Sequence, residues 1–385
     1  MNFNADEIVN LFKRTNGELY NDLNIKSHNY SIEYPNKYHS EGSIWAHICM
    51  VMCNILHGKT CDEILPELFM AALLHDIGKA KVIRSKCDID KNPKMITYGH
   101  DGMSTFMALD VLRNMYLNNI DKFFNLELVI KLINLHMIFY DVNNYFNKDN
   151  ELSVNKKMSL KLMNSFRKDF IFYTYLRELF EADNYGRIAS FEEYNRSSQV
   201  IDYIWSLNDG IGNLCLEERQ KINDKPNKII MTIGVPGSGK STFAQDFITK
   251  NKDFVILSRD QLVENNLNKS TYNNYNDSFK DEEYQKFITK EFDKEYDDTI
   301  KNSKNIIIDM TNLTHKSRNK KLVKIPFDKY YKIAEVFIRP YNDIMKTNNE
   351  RKDHFIFRNT LEGMMTMFRV PLYDEFDEIN YHISY

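Results

Sequence analysis

Residues 229–242 read IIMTIGVPGSGKST, an apolar run followed at once by a glycine-rich loop. Residues 234–241 satisfy the pattern GxxxxGK[ST], and their place between a predicted strand and a predicted helix is typical of a phosphate-binding loop. In such a loop backbone N–H groups surround phosphate oxygens, Lys240 binds the β- and γ-phosphates, and Ser241 supplies an oxygen to Mg²⁺. We therefore predict that ATP or another NTP binds here with Mg²⁺. The predicted cofactor-binding residues are Gly234, Gly237, Ser238, Gly239, Lys240, Ser241 and Thr242.

The chain predicts two different architectures. From residue 229 on, short apolar runs alternate with helical segments, which predicts an α/β domain with a parallel sheet. Earlier in the chain, apolar residues recur at three- and four-residue spacing without alternating strands, which predicts an all-α helical bundle. A charged stretch around Pro226 suits a linker, so we predict domains at residues 1–222 and 223–385.

The predicted elements are as follows. The further predicted strands are residues 254–257, 306–308 and 332–338. The predicted helices of the bundle are residues 44–56, 67–74, 104–117, 126–139, 157–191 and 200–207. Polar segments such as residues 87–94 are predicted loops.

The composition limits the class of protein. A chain of 385 residues is long enough for two or three domains, and 43% hydrophobic content excludes wholesale disorder. A net charge of −3 excludes a uniformly basic protein that coats nucleic acid but permits a local basic groove. Five scattered cysteines predict neither a disulfide framework nor a CxxC metal site. The charged N-terminus does not resemble a signal peptide and no apolar run is long enough to cross a membrane, so we expect a cytoplasmic protein without a membrane partner.

Two aspartates follow predicted strands of the α/β half. Asp260 comes shortly after the strand at residues 254–257, and Asp309 comes directly after the strand at residues 306–308. Because the carboxyl ends of parallel strands line the ligand crevice, both side chains are expected near the phosphate loop. Asp260 can accept the proton of an attacking hydroxyl, and Asp309 can bind Mg²⁺ through water or hold the acceptor. The alternative for each is a helix N-cap, a role that is compatible with catalysis.

The helical half carries histidines and aspartates in a pattern that suits a metal site. Its centre is the sequence HDIGK at residues 75–79, at the end of an apolar helix. The predicted metal ligands are His47, His75, Asp76, His100, His136 and Asp183. Such ligands on several helices can converge on a divalent ion, Mn²⁺, Ni²⁺, Co²⁺, Zn²⁺ or Mg²⁺, which polarises a phosphoryl group or activates water. Lys79 is placed to contact a substrate phosphate.

The alternative for a histidine on an apolar helix is a ring that is satisfied within the core or at the surface. For His136 this alternative stays open. The histidines assigned to ordinary structural or surface roles are His28, His57, His354 and His382.

The α/β half resembles a known kinase domain. The order GVPGSGKST, SRD, IIIDMTN and a late arginine-bearing segment is similar to the polynucleotide 5′-kinase domain of nucleic-acid end-healing enzymes, over about residues 226–380. This resemblance implies that Asp260 is the general base for a 5′-hydroxyl. It also implies that Asp309 helps to place the acceptor.

The resemblance extends to a lid and includes one departure. Residues 348–367 resemble the lid of that family, which implies an arginine on the donor phosphates, and we favour Arg351 over Arg358. The family often carries an arginine three residues after the base, where this chain has Val263. The basic run at residues 315–321 is a candidate substitute. For the arginines and for this run, the alternative is a solvated helix face.

The helical half resembles the HD phosphohydrolase superfamily, over about residues 36–190. The order WAH, HDIGKA, GHD and a later histidine is similar to the HD domains of some tRNA nucleotidyltransferases. The core metal ligands that this resemblance implies are His47, His75, Asp76 and Asp183. His100 and His136 would complete a second site or bind phosphate, and His39 and Glu41 would shape the pocket.

Together, the two halves resemble the HD-Pnk architecture of bacterial and phage end-healing enzymes. The resemblance implies a kinase that phosphorylates 5′-hydroxyl ends and an HD phosphatase that removes 2′,3′-cyclic, 2′- or 3′-phosphates from RNA, with DNA as a second candidate substrate. The sequence has no KxDG ligase signature, so a separate nucleic-acid ligase is the expected partner. Two alternatives stay open: a nucleoside or small-metabolite kinase fused to a nucleotide phosphohydrolase, and a regulatory nucleotide-binding module without catalysis.

Overall fold

The computed structural model describes residues 3–88, 91–116, 124–142, 156–189, 199, 202, 225–351 and 354–385. Contacts separate the chain into two compact units, Met1–Cys215 with Tyr385 and Leu216–Ser384. The predicted boundary at residue 222 and, apart from Asp202, the predicted helix at residues 200–207 lie outside the described residues. Within the described ranges, no helix has the length and apolar character that crossing a membrane requires.

Helices make up most of the first unit. They are α1 (Ala5–Thr15), α2 (Gly17–Ile25), α3 (Ile44–Leu56), α4 (Pro66–Leu74), α5 (Lys79–Val82), α6 (His100–Tyr116), α7 (Leu126–Leu135), α8 (Lys156–Lys168) and α9 (Phe170–Tyr185). Residues 68–74 of α4 are all buried, and this helix packs against α3, α7 and α9. A helix that is apolar on every side is typical of such a central position. Because His75 follows α4 directly, the end of this helix delivers the imidazole into the interior of the bundle.

The first unit differs from the predicted all-α bundle in two places. β1 (Arg84–Cys87) and β2 (Pro93–Ile96) form an antiparallel hairpin, so the prediction of a bundle without strands is wrong here. β1 is exposed along its whole length, and such a strand lacks the apolar alternation by which a sequence reveals strands. The helix predicted at residues 157–191 is two helices, because the Asp169 side chain accepts a hydrogen bond from the Phe172 N–H and starts a new one.

A five-stranded parallel sheet forms the centre of the second unit, in the order β4-β5-β3-β6-β7. Its strands are β3 (Asn227–Ile233), β4 (Phe254–Ser258), β5 (Asn305–Asp309), β6 (Tyr330–Ile338) and β7 (Glu378–Ile383). Its helices are α10 (Lys240–Lys250), α11 (Arg259–Asn265), α12 (Tyr275–Ser278), α13 (Glu282–Lys301), α14 (His315–Leu322), α15 (Tyr341–Glu350) and α16 (Arg358–Met367). The prediction of a parallel α/β sheet is confirmed, and the edge strand β7 is an addition to it.

The strand order brings three loops to one edge of this sheet. The central strand β3 is buried from Ile229 to Ile233 and leads directly into the phosphate loop. Ser258 at the end of β4 pairs in register with Asp309 at the end of β5. The carboxyl ends of parallel strands form the ligand crevice of such sheets. The residues that follow β3, β4 and β5 therefore share one crevice.

Candidate active sites

The phosphate loop adopts a backbone that requires its glycines. Gly237 and Gly239 have φ angles of +81° and +104°, a region that residues with a Cβ rarely adopt. A Cβ on Gly234 would lie 2.6 Å from Ser238 Oγ and 2.7 Å from the carbonyl oxygen of Phe337. The loop therefore keeps this backbone conformation only as long as these positions remain glycine.

The cation and the hydroxyl groups of the loop lie at the start of α10. Lys240 is buried, and its Nζ donates hydrogen bonds to the Val235 carbonyl at 2.8 Å and to Ser238 Oγ at 3.5 Å. Ser241 and Thr242 are exposed in the first turn of the helix. A helix N-terminus with an inward cation and outward hydroxyl groups suits a phosphate and its magnesium ion.

All four residues predicted to catalyse phosphate transfer lie around this loop. Burial lowers the pKa of Lys240 to about 8, while the carboxylates of Asp309 and Asp260 act to raise this pKa and the charge of Arg351 acts to lower it. A Coulombic effect on a pKa weakens with distance, so these three charges lie in the neighbourhood of Lys240. Lys240, Asp260, Asp309 and Arg351 thus form one electrostatic cluster at the edge of the sheet.

Asp260 is exposed in the first turn of α11. Ser258 caps this helix, so the N-cap alternative for Asp260 is wrong. Tyr275 donates a hydrogen bond to the Asp260 carboxylate, and burial, together with this carboxylate, raises the pKa of the Tyr275 hydroxyl. The neutral phenol therefore stays a donor and orients the aspartate. Sequence reasoning missed Tyr275, because nothing in the polar segment around it marks a contact with Asp260.

Asp309 is buried at the end of β5. The Thr232 hydroxyl donates a hydrogen bond to its Oδ1 at 3.3 Å. The following helix, α14, is capped by Thr314, so Asp309 is not an N-cap either. Its carboxylate lies beside the loop. This position suits a group that binds Mg²⁺ through a water molecule.

The two lid arginines differ in what they contact. Arg358 is exposed, and it donates hydrogen bonds to Glu362 at 3.0 Å and to the Tyr341 hydroxyl at 3.0 Å. Arg351 follows α15, and its charge acts to lower the pKa of Lys240. Its Nη1 is buried without a hydrogen-bond partner among the described residues. Buried guanidinium groups are normally paired, so Arg351 is the arginine with capacity for an anion.

In the basic run at residues 315–321, His315, Arg318 and Lys321 contact the rest of the domain. Lys316 and Lys320 are exposed. Arg318 is fully buried and donates to both carboxylate oxygens of Glu375, at 2.8 and 2.9 Å. Lys321 donates to Asn312 Oδ1 at 3.1 Å, and burial lowers its pKa to about 8. Val263, at the position where the kinase family often has arginine, is buried. The central arginine of the run is therefore a structural ion pair and not a solvated helix face.

Histidine and carboxylate side chains form three adjacent groups in the first unit. The groups are His47, His75 and Asp183; Asp76, His100 and His136; and His28, His39 and Glu41. Within each group, one ligand atom from each residue lies within 4.8 Å of the others. The first two groups contain all six predicted metal ligands, and all six are buried. The chain therefore brings these six side chains together from five different segments.

The histidines of the first two groups are oriented as metal ligands are. His47, His75, His100 and His136 each direct Nδ1 at a backbone carbonyl oxygen, at distances between 2.7 and 2.9 Å. A carbonyl only accepts, so Nδ1 carries the proton and Nε2 of the neutral ring keeps its lone pair. Nε2 atoms then face each other, 3.4 Å apart for His47 and His75 and 3.1 Å apart for His100 and His136. Facing lone pairs repel unless a proton or a metal ion lies between them, and a carbonyl behind the ring is typical of ligating histidine.

Asp76 lies between these two groups. Its Oδ1 is 3.1 Å from His100 Nε2, and its Oδ2 is 3.3 Å from His47 Nε2 and 3.4 Å from His75 Nε2. Both oxygens are buried without a well-directed hydrogen bond from the described residues, although Lys79 Nζ lies 2.5 Å from Oδ2. Burial acts to raise the pKa of Asp76, but Lys79 and the imidazoles outweigh it and hold this pKa well below its usual range. The donor set therefore fits two divalent ions with Asp76 between them.

The third group surrounds Lys79, and it includes a histidine that sequence reasoning missed. Lys79 Nζ lies 3.1 Å from His28 Nε2, and both side chains are buried. The His28 ring stacks on His39 at 4.4 Å, and His39 Nδ1 lies 2.8 Å from Glu41 Oε1. His28 precedes the predicted pattern in a polar segment, where no spacing signals its approach. Lys79 is therefore held between Asp76 and this group.

Gly78 lies where the end of α4 meets α6. A Cβ at this position would clash with the His100 carbonyl oxygen and would lie 2.5 Å from Ser104 N. We expect Gly78→Ala to push α6 away and to destabilise the first unit by about 1–3 kcal/mol, as measured by chemical unfolding. The control is Gly17→Ala, where nothing lies within 4 Å of the added Cβ. Equal stability of the two variants would contradict this close contact.

Comparison with known proteins bears on the second unit. A family model described as an AAA domain (AAA_33) matches residues 229–371, from β3 past the lid arginines. The second unit is a P-loop kinase-like domain. Among solved structures, one chain in the Pnkp1/Rnl/Hen1 RNA repair complex is 26% identical, and the alignment covers 38% of this chain and 46% of that chain with a TM-score of 0.33. This chain thus spans less than half the length of that similar chain.

Proposed function

We propose that this protein is a bifunctional enzyme that heals the ends of RNA, with DNA as a second candidate substrate. Its second unit transfers phosphate from ATP to a 5′-hydroxyl, and its first unit removes a 2′,3′-cyclic, 2′- or 3′-phosphate. One observation carries the proposal: a phosphate loop with an adjacent carboxylate and a buried set of six candidate metal ligands occur in one chain. The repaired ends, a 5′-phosphate and a 3′-hydroxyl, are those that a separate ligase joins.

The second unit holds the groups that phosphate transfer needs. When bound, ATP supplies the phosphoryl group and Mg²⁺ neutralises part of its charge. Lys240 and Ser241 hold the phosphates and the magnesium. Asp260, oriented by Tyr275, would accept the proton of the 5′-hydroxyl as the 5′-oxygen attacks the γ-phosphorus and the bond from this phosphorus to ADP breaks. Arg351, whose Nη1 has no hydrogen-bond partner among the described residues, neutralises charge that develops on the transferred group.

The first unit holds the groups that phosphate removal needs. Divalent metal ions at this site would polarise the phosphoryl group and lower the pKa of water. Imidazole nitrogens with carboxylates suit Mn²⁺, Ni²⁺, Co²⁺ or Zn²⁺ by affinity. Asp76 lies between the two ligand groups, so its carboxylate would help to hold a metal ion in either group. Lys79 and Arg187 are buried and line the same cavity, and we assign them to phosphate oxygens, although Arg187 also donates hydrogen bonds to Asn184.

The choice of acceptor separates this proposal from a small-metabolite kinase. We expect the protein to transfer the γ-phosphate of labelled ATP to a 5′-hydroxyl oligonucleotide in preference to nucleosides, 3′-mononucleotides and sugars. Phosphate release from 3′-end-phosphorylated oligonucleotides with each of the four transition metals tests the other unit. Equal rates with nucleosides and oligonucleotides would favour the metabolite kinase, and nucleotide binding without either reaction would favour a regulatory module.

Lys240 gives ATP affinity a predicted pH dependence. Its pKa of about 8 in the free protein means that it loses its charge above pH 8, whereas bound phosphates favour the charged form. ATP binding therefore weakens as pH rises, and we expect KM for ATP to be about tenfold higher at pH 9 than at pH 7. Lys240→Arg, which stays charged, should flatten the profile. A wild-type KM that is constant across this range would contradict the prediction.

A further inference from the structure

A cavity of about 930 Å³ opens above the metal-ligand groups of the first unit. Asp76, His100 and Asp183 contribute to its lining, together with the cations Lys79 and Arg187. All five of these residues are buried, with exposed fractions of 7% or less. The volume lies near the upper end of the range for small-molecule sites and exceeds what a phosphate group alone requires. The space between the ligand groups and the surface is therefore part of the site.

The depth of the ligand groups limits which nucleic-acid ends can react. A phosphate at the end of a strand reaches Asp76 only if its own nucleotide enters the cavity. A nucleotide that is paired and stacked within a duplex cannot enter without leaving its partner, which costs free energy. The geometry thus favours an unpaired strand end.

Tyrosines occupy the outer lining of this cavity. Tyr34, Tyr38 and Tyr98 line it, yet their exposed fractions are 39%, 38% and 74%. They come from two separate segments, one before α3 and one between β2 and α6. Tyr98 lies two residues before His100, whose Nδ1 contacts the Thr97 carbonyl. Single exposed aromatic side chains are ordinary, but three around the opening of one metal-ligand cavity provide flat apolar faces for planar groups.

Positive and negative side chains both line the opening of this cavity. Lys37 and Lys94 line the cavity, and so do Glu33 and Asp88. Lys37 Nζ lies 4.5 Å from the centre of the Tyr38 ring. Because the rim charges nearly balance, affinity for a strand has to come mainly from stacking, which tolerates any base.

We propose that Tyr34, Tyr38 and Tyr98 stack against the last bases of a single-stranded 3′ end whose terminal phosphate lies at the ligand groups. This inference rests on the proposed phosphatase function and specifies its substrate as an unpaired polynucleotide end. It makes the three tyrosines specificity-determining residues for strand binding, without a role in the chemical step.

The test uses the full-length protein, loaded with the metal that supports most activity, and a six-nucleotide strand with the end phosphate that it removes fastest. A second strand has the same backbone but lacks its last two bases. We expect Tyr98→Ala and Tyr34→Ala each to lower kcat/KM for the complete strand at least about fivefold, mainly through KM. For the abasic strand, the variants should match the wild type, because the bases that would stack are missing. Tyr98→Phe should retain the wild-type value, because the ring is kept.

Phe170→Ala is the matched control, since Phe170 is 61% exposed in the same unit and is not among the described residues that line the cavity. Unchanged kcat/KM for the complete strand in both tyrosine variants, or equal losses on complete and abasic strands, would overturn the stacking proposal while leaving the phosphatase intact. A wild-type protein that releases no phosphate from any strand end would instead overturn the proposed function, and the stacking inference with it.

Discussion

Replacing Lys240 with alanine is expected to lower transfer of phosphate to a 5′-hydroxyl by about 10³-fold or more, because it removes the buried cation of the phosphate loop. Asp260→Asn should lower kcat by about 10²- to 10⁴-fold with little change in KM for ATP. Asparagine keeps the size of the side chain and an acceptor for Tyr275, but it cannot take the proton. Labelling of a 5′-hydroxyl oligonucleotide at several ATP concentrations measures both effects.

The control for these variants is Lys250→Ala, which removes an exposed lysine from the far end of the same helix. It should keep wild-type activity. Phosphate release by the first unit should be unchanged in all three variants. Labelling that survives both Lys240→Ala and Asp260→Asn would contradict the kinase assignment.

The second large effect is expected at Asp76. Asp76→Asn removes the negative charge that lies between the two ligand groups, so both metals should bind more weakly and phosphate release should fall by about 10³-fold or more. Kinase activity should stay at the wild-type level. Metal content per chain, measured by elemental analysis after dialysis, should fall in parallel with phosphatase activity.

A folding check is needed here, because Asp76 also lies 2.5 Å from the buried ammonium of Lys79. Circular dichroism and thermal unfolding show whether the variant folds. Asp22→Asn, which alters an exposed carboxylate paired with Lys26, is the matched control. It should leave metal content and phosphatase activity unchanged. A folded Asp76→Asn variant that keeps its metal and its phosphatase activity would contradict the proposed site.

The phosphate loop could be predicted because the residues that specify it are neighbours in the sequence. The strand, the glycines and Lys240 are contiguous, so the pattern specifies the backbone almost by itself. The metal-ligand groups required more, since their residues come from segments far apart in the chain. The sequence predicted that the six candidate ligands converge, but the resemblance placed Asp76 with His47, His75 and Asp183, whereas in the structure it lies between this group and that of His100 and His136. This place depends on how α4, α6 and α7 pack.

Residues without a local signal were missed. His28 and Tyr275 lie in polar segments, and each reaches its partner, Lys79 or Asp260, only through the tertiary fold. In the hairpin, β1 is exposed along its whole length, so burial did not impose an alternating pattern on that strand. The split of the long predicted helix depended on one capping side chain, that of Asp169, which a periodicity argument does not weigh.

The most direct test of two independent sites in one chain uses one RNA strand with a 5′-hydroxyl and a 2′,3′-cyclic phosphate. Electrophoresis and mass spectrometry follow both ends after incubation with ATP, Mg²⁺ and a transition metal. We predict that wild-type protein converts both ends, that Lys240→Ala converts only the 3′ end, that Asp76→Asn converts only the 5′ end, and that a mixture of the two variants converts both. Loss of both conversions in either folded variant, or a wild-type protein that leaves both ends unchanged, would contradict the account.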